Sequence, residues 1–312
     1  MDGEVLVRVH AASMHPDIWH LVTGRPYFLR LMGAGLLSPG GKIPGTDLAG
    51  VVEAVGNGVT RFKAGDAVFG ECVRGHQWLH GGAYAEYAAV PEKALAPKPP
   101  GLSFEEAAAL PTAAFIAYQA VFDEGKLRAG EKVLVNGAAG GVGLFAVQLA
   151  KAHGAHVTGV DGPDRLELLR TVGVDRALDY TVQDYTVGAE RYDLIVDVPG
   201  RQPLSRCLRV LTPRGRYVYV GHDHFGATGG RWVGSMGRIL RLTLLLLMKG
   251  QRPRLPVFSG AQVRLAALAR LVDEARLKVP VDRVFPLAEV PAALRHLQEG
   301  RARGKVVIKV SA

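Results

Sequence analysis

Two rhythms divide the chain. Over the first hundred or so residues, apolar positions recur every second residue in short runs such as EVLVRVHAAS, AGVVEAV and DAVFGE, separated by glycine turns such as GNG and KAGD. A period of two places alternate side chains on one face of a strand, so this part reads as a compact, mostly β unit. The stretch PKPPG, Pro97 to Gly101, then breaks the chain. In SFEEAAALPTAAFIAYQAVFD, Ser103 precedes Glu106 by the spacing of a capping box. A helix is expected to start there and to bend at Pro111.

From Lys132 the rhythm changes. KVLVN, HVTGV, RALDY, YDLIVDV and RYVYVG are short, apolar, β-branched runs; VGLFAVQLAKAHG, DRLELLRTVG and LSRCLRVL between them have helical spacing. Strands of that kind alternating with helices predict a parallel sheet covered on both faces, a doubly wound unit. Further on, LAALARLVDEARL has helical spacing, and VDRVFPLAEVPAALRHLQEGRARGKVVIKV reads as strand, helix, strand. The most apolar segment, ILRLTLLLLMKG from Ile239 to Gly250, is interrupted by Arg241 and is about half the length a bilayer requires, so a buried helix or pocket wall is expected. The opening MDGEVLVRVH is charged and alternating, unlike a secretory leader.

Composition narrows the choice. A chain of 312 residues, 48% hydrophobic and 21% charged, is globular and long enough for two domains. Its formal charge of +9 suits nucleic acid, a membrane surface or a small anionic ligand. The basic residues are dispersed and no nucleic-acid motif is present, which leaves a phosphate-bearing small molecule as the favoured anion. Cys72 and Cys207 are too few for a disulfide framework, and a reducing, cytoplasmic setting is expected.

The chemistry concentrates in NGAAGGVG, Asn136 to Gly143, with four glycines in seven residues. A dinucleotide fingerprint needs three small positions, for a tight turn, for approach to a pyrophosphate and for helix packing; Ala138, Gly140 and Gly143 occupy them. A strand precedes the turn, a helix follows, and a second strand ends at Asp161, about eighteen residues past the last glycine. Asp161 is placed to accept hydrogen bonds from ribose hydroxyls, favouring NAD, whereas Arg165 and Tyr180 offer a charge and a hydroxyl to a 2′-phosphate. The cofactor is therefore expected to be NAD(P)H, with the choice between the two forms open.

GTDLAGVVEAVGNGVTRFKAGDAVFG, GGAYAEYAAVPEKALAPKPPGLSFEEAAALPTAA, VLVNGAAGGVG and GRARGKVVIKV together resemble the medium-chain dehydrogenase/reductase superfamily, in its zinc-free quinone oxidoreductase branch. The resemblance implies a GroES-like, mostly β catalytic domain from residues 1–113 and 257–312 and a Rossmann domain from 114–256. It further implies that Ala139, Gly140, Gly141 and Val142 meet the pyrophosphate, that Asp161, Arg165 and Tyr180 surround the adenosine ribose, that Gly221 lies beside the nicotinamide, and that Lys305 reaches the phosphates. Lys305 as an exposed strand-edge residue is the alternative.

Zinc-dependent relatives place a cysteine and a histidine where this chain has Met14 and Thr46, which supply neither thiolate nor imidazole. Cys72, His76 and His80 are a remaining ligand pattern, read as scattered surface groups, and no metal is expected. The resemblance puts His15, Asp17, Tyr27 and Thr46 at the mouth of the cleft, with Tyr27 as an oxygen-directed donor or a packing or turn tyrosine, and His15 as a proton donor or a loop cap. His222 and His224 are expected near the nicotinamide or as loop histidines. Without a Lewis acid, hydride transfer to a quinone or an α,β-unsaturated carbonyl is the expected reaction, with a homodimer as the expected assembly. A non-catalytic dinucleotide-binding protein and an alcohol or aldehyde oxidoreductase are the alternatives. The chain departs from the pattern at Ile116, where many relatives have threonine, and at DVPG, Asp197 to Gly200. It also lacks an initial strand pair of some two dozen residues, for which a truncated start and an uncovered strand edge are expected.

Overall fold

The computed structural model describes residues 2–31, 43–72, 81–221, 230–248 and 261–310. His76, His80, His222 and His224 lie outside the described residues. Strands β1 (Glu4–Met14), β2 (Asp47–Val55), β3 (Ala67–Glu71), β4 (Tyr87–Pro91) and β5 (Leu95–Pro97) come from the first part of the chain. Helix α1 (Ile18–Thr23) lies between the first two. These strands join β11 (Val281–Pro286) and β12 (Lys305–Lys309) in one seven-stranded sheet of order β11-β12-β1-β2-β3-β5, with β4 on β1. Both ends of the chain thus build one sheet, and β1 is paired along both sides, by β2 on one and on the other by β4 toward its start and β12 toward its end.

The alternation seen in the sequence is the burial pattern: Val5, Val7 and Val9 of β1 are fully enclosed while Glu4, Leu6, Arg8 and His10 between them are not. Ser103 caps helix α2 (Phe104–Ala109) through a complete capping box with Glu106. Pro111 opens α3 (Pro111–Tyr118), so the bend at this proline divides what the sequence reads as one helix.

The middle of the chain forms β6 (Lys132–Asn136), α4 (Gly141–Ala152), β7 (His156–Asp161), α5 (Leu166–Thr171), β8 (Arg176–Asp179), β9 (Tyr192–Asp197), α6 (Leu204–Arg209) and β10 (Leu211–Tyr219). The five strands are parallel in the order β10-β9-β6-β7-β8. Order reverses between β6 and β9, which opens a crevice at their carboxyl ends, where open α/β sheets bind ligands. The fold is α/β, a GroES-like β unit beside a Rossmann-like parallel sheet.

Helices α7 (Met236–Met248), α8 (Ala261–Asp273) and α9 (Val290–Gln298) complete the described elements. The expectation of a buried helix at Ile239–Gly250 is corrected over its described part. In α7 only Leu246 is buried, while Met236, Ile239, Leu240, Leu244 and Leu247 are exposed. Its leucines run round the whole helix, and only Leu242 and Leu246 reach the core formed by β9, β10 and α6. No helix among the described residues is long and apolar enough to cross a membrane.

Candidate active site

The glycine-rich turn is built by close packing. Gly137 takes a left-handed φ of 75° as the chain leaves β6. A Cβ on Gly143 would stand 2.1 Å from the Gly137 carbonyl oxygen and 2.7 Å from the Ala138 Cα, so this residue must be glycine for α4 to press on its own strand. Gly140, the residue before α4, has no side-chain cap, which leaves the first amides of the helix without a side-chain partner. Around Gly140 a Cβ would meet only the Gly137 oxygen, at 3.4 Å, and around Gly141 only Lys305 closely, at 3.1 Å from its Cδ. A bare helix N-terminus with space beside it fits the diphosphate of a dinucleotide.

Asp161 ends β7 and anchors this turn. Its Oδ2 accepts the Ala139 N–H at 2.8 Å, and its Oδ1 accepts the Gly162 N–H at 2.9 Å. The Arg165 guanidinium lies 3.5 Å from Oδ1 and also donates to the Gly300 carbonyl, so this cation is already engaged. Tyr180 remains 57% exposed, at the side of Gly162. Across the crevice, Asp197 at the end of β9 explains the unusual DVPG sequence. It is fully buried and accepts from Asn136 Nδ2 (2.9 Å), the Gly200 N–H (2.8 Å) and the Tyr217 hydroxyl (2.7 Å). Burial and the neighbouring carboxylate push the Tyr217 phenol well up. Gly221 has a local reason of its own, since a Cβ there would stand 2.1 Å from the Tyr219 ring.

The β unit contributes a buried polar cluster centred on Asp47. Its carboxylate is fully enclosed, and its Oδ2 accepts from the Ser13 hydroxyl (3.0 Å) and the Thr112 N–H (3.2 Å). Its Oδ1 accepts from the hydroxyls of Thr46 (3.1 Å) and Thr112 (2.5 Å). His15 Nε2 lies 2.7 Å from Thr46 Oγ1, and its Nδ1 faces Asp17 at 3.6 Å. Glu71 Oε1 lies 3.0 Å from Thr112 Oγ1, and burial together with the charge of Asp47 pushes this carboxyl up to about 7. Three of the four residues assigned to the cleft mouth, His15, Asp17 and Thr46, are thus brought together.

The fourth, Tyr27, is held by ring contacts of its own. Its ring packs edge-on against Trp232 at 5.4 Å and lies under the Arg30 guanidinium at 5.0 Å; no hydrogen bond links it to the Asp47 cluster among the described residues. Sequence reasoning missed Ser13, Asp47, Glu71, Thr112 and Asp197. The signal was available for two of them, Asp47 and Thr112, as polar residues set in the small and apolar runs GTDLAG and LPTAA.

Lys305 overturns its exposed alternative. It is 2% exposed, lies along Gly141, and directs Nζ at the Met14 carbonyl at 3.4 Å. Burial pushes its ammonium down, against the opposing charges of Asp47 and Asp17. Cys72, buried, donates to the Gly45 carbonyl at 3.3 Å, and burial pushes its thiol up to about 12.

A family profile described as "Alcohol dehydrogenase GroES-like domain" matches residues 1–100, and one described as "Zinc-binding dehydrogenase" matches 172–308. Mouse "NAD(P)H oxidoreductase RTN4IP1, mitochondrial" is 32% identical over 99% of this chain and 82% of its own. The "Quinone-oxidoreductase homolog, chloroplastic" of Spinacia oleracea is 32% identical over 98% of this chain and 89% of its own. The solved quinone oxidoreductase from Coxiella burnetii superposes with a TM-score of 0.82 at 28% identity, covering 99% of this chain and 91% of that one. The chain belongs to the medium-chain dehydrogenase/reductase family of NAD(P)H-dependent oxidoreductases. The zinc in the second profile's description does not fit the residues present. Met14 is a thioether packed in the β-unit core, and the Thr46 hydroxyl is engaged by Asp47 and His15.

Proposed function

We propose that this protein is a zinc-independent oxidoreductase that reduces a quinone or an α,β-unsaturated carbonyl with NAD(P)H. The observation that carries the reading is Lys305, which packs along the glycine turn at one end of its side chain and meets the backbone of the His15 loop at the other. That contact supports reading the glycine turn as a dinucleotide cradle that shares one site with the His15 cluster. Bound NAD(P)H supplies the hydride. The chain supplies the rest: the first amides of α4 hold the diphosphate, and Asp161 faces the ribose. His15, backed by Asp17, delivers a proton to the reduced substrate, and Tyr27 offers its hydroxyl to the substrate oxygen.

NADH is the preferred form in this reading. A 2′-phosphate beside Asp161 would meet a carboxylate, and Arg165 is already engaged by Asp161 and Gly300. A homodimer and a reducing cytoplasm complete the proposal, the second supported by two free, buried cysteines.

The test is direct. NADH is expected to raise the melting temperature and to be consumed with 1,4-benzoquinone or an alkyl enone. Neither stabilisation nor turnover with either acceptor would defeat the reading; stabilisation without turnover across a broad panel would identify a dinucleotide-binding protein that has lost its chemistry.

A further inference from the structure

The hydroxyl of Thr112 lies between two carboxyl groups, 2.5 Å from Asp47 Oδ1 and 3.0 Å from Glu71 Oε1. A hydroxyl has one hydrogen to donate. If both carboxyls were ionised, one of these contacts would set lone pair against lone pair inside the protein, a cost that a proton on one carboxyl removes. Asp47 is the wrong place for that proton. Each of its oxygens already accepts two donors, from Ser13 Oγ and Thr112 N on one side and Thr46 Oγ1 and Thr112 Oγ1 on the other. Among the described residues, Glu71 has no such donor set in the cluster. The proton belongs on Glu71, donated to Thr112, whose own hydrogen points to Asp47.

The same counting fixes the other arm. Thr46 spends its hydrogen on Asp47 Oδ1 at 3.1 Å, so toward His15 it can only accept. The 2.7 Å contact therefore needs the histidine proton on Nε2. Nδ1, buried and without a hydrogen-bond partner, is left as the bare nitrogen, with Asp17 Oδ2 at 3.6 Å.

We propose that Glu71 is a proton-carrying positioning residue: the ordered chain Glu71–Thr112–Asp47–Thr46–His15 holds His15 in the Nε2–H form and reserves Nδ1 for the proton used in the reaction. The catalytic part of this statement rests on His15 as the proton donor proposed above; the protonation of Glu71 and the tautomer of His15 do not. When His15 takes a second proton on Nδ1 beside Asp17, that proton passes to the reduced substrate, whose hydride comes from NAD(P)H, and His15 returns to its neutral form. The charged and titratable groups that bear on Glu71 are Asp47 from β2, which raises its proton affinity, and His15 from the loop after β1, which lowers it. Lys305 interacts electrostatically with Asp47 and Asp17.

The experiment is pH-difference infrared spectroscopy of the intact protein, without ligand, beside Glu71→Gln. The parent is expected to show a protonated-carboxyl C=O band at pH 6 that disappears as pH rises through about 7, and the variant to lack it. Nitrogen NMR of the parent, with His15 assigned by His15→Gln, is expected to place the proton on Nε2. Absence of the carboxyl band at pH 6, its persistence in Glu71→Gln, or a proton on Nδ1 of neutral His15 would overturn the proposal. In turnover, kcat of the parent is expected to carry an inflection near pH 7 that the variant loses; an unchanged profile would remove Glu71 from the reaction. A carboxyl band with no turnover on any acceptor would sink the proposed function and leave the hydrogen-bond chain standing.

Discussion

The glycine-rich turn and the Asp47 cluster face each other across Lys305, yet they are made in opposite ways. The turn works by subtraction: side chains are absent at Gly140, Gly141 and Gly143, and backbone amides are left available. The cluster works by saturation, with four donors closing on one buried carboxylate. A site made of missing atoms responds to steric intrusion, and a site made of paired polar atoms responds to the loss of any partner.

Substitutions sharpen this contrast. The largest effect is expected for Gly143→Ala, whose Cβ would overlap the Gly137 carbonyl; a loss of more than about 3 kcal/mol should be seen in urea unfolding. Gly140→Ala is the paired control. It meets only an ordinary contact at 3.4 Å, so stability should move by less than about 1 kcal/mol while NADH affinity falls roughly tenfold, read by calorimetric titration. Equal behaviour of the two variants would erase the distinction between packing and ligand-facing glycines.

Asp47→Asn comes next. An amide presents N–H where the cluster supplies only donors, so about 2–4 kcal/mol should be lost in the same unfolding assay. Asp161→Ser tests the turn from its ribose side: removing the carboxylate should tighten NADPH binding about tenfold, or about 1.4 kcal/mol, relative to NADH. An unchanged ratio would remove Asp161 from cofactor choice. The smallest effect is expected for Ser103→Ala, which deletes half of the capping box at α2 and should cost about 1 kcal/mol.

The pH dependence of stability separates the regions too. Glu71 titrates at about 7 in the folded protein against 4.5 for an unperturbed carboxyl, so the folded state holds an extra proton between those values. Its contribution is fully present below pH 4.5 and is lost as pH rises through 7. The melting temperature of the parent, measured relative to Glu71→Gln, should therefore fall across that window and then level off.

Much of the molecule was legible in order along the chain. The period of two in β1, the strand–helix alternation from β6 to β10, the capping box at Ser103 and the break at Pro111 all reappear as structure. Of the two readings of the α7 segment, the buried helix is overturned, because leucine content says a helix can be buried while neighbours decide whether it is. Lys305 shows the converse. A lysine near a chain end reads equally well as exposed, and only the pairing of β12 with β1 carries it beneath the glycine turn.

What the sequence by itself determined were features whose physics is short in range. Gly140 and Gly143 shape the turn because the atoms they meet belong to Gly137 and Ala138, a few positions away, and Ser103 caps its helix through Glu106. Tertiary structure alone decided the proton arrangement at Asp47. Its partners Ser13 and Thr112 stand 34 and 65 residues away in sequence, and Lys305 reaches Met14 across 291. A carboxyl acquires its charge state from the donors and charges that enclose it, and that enclosure exists only once β1, β2 and the start of α3 have packed together.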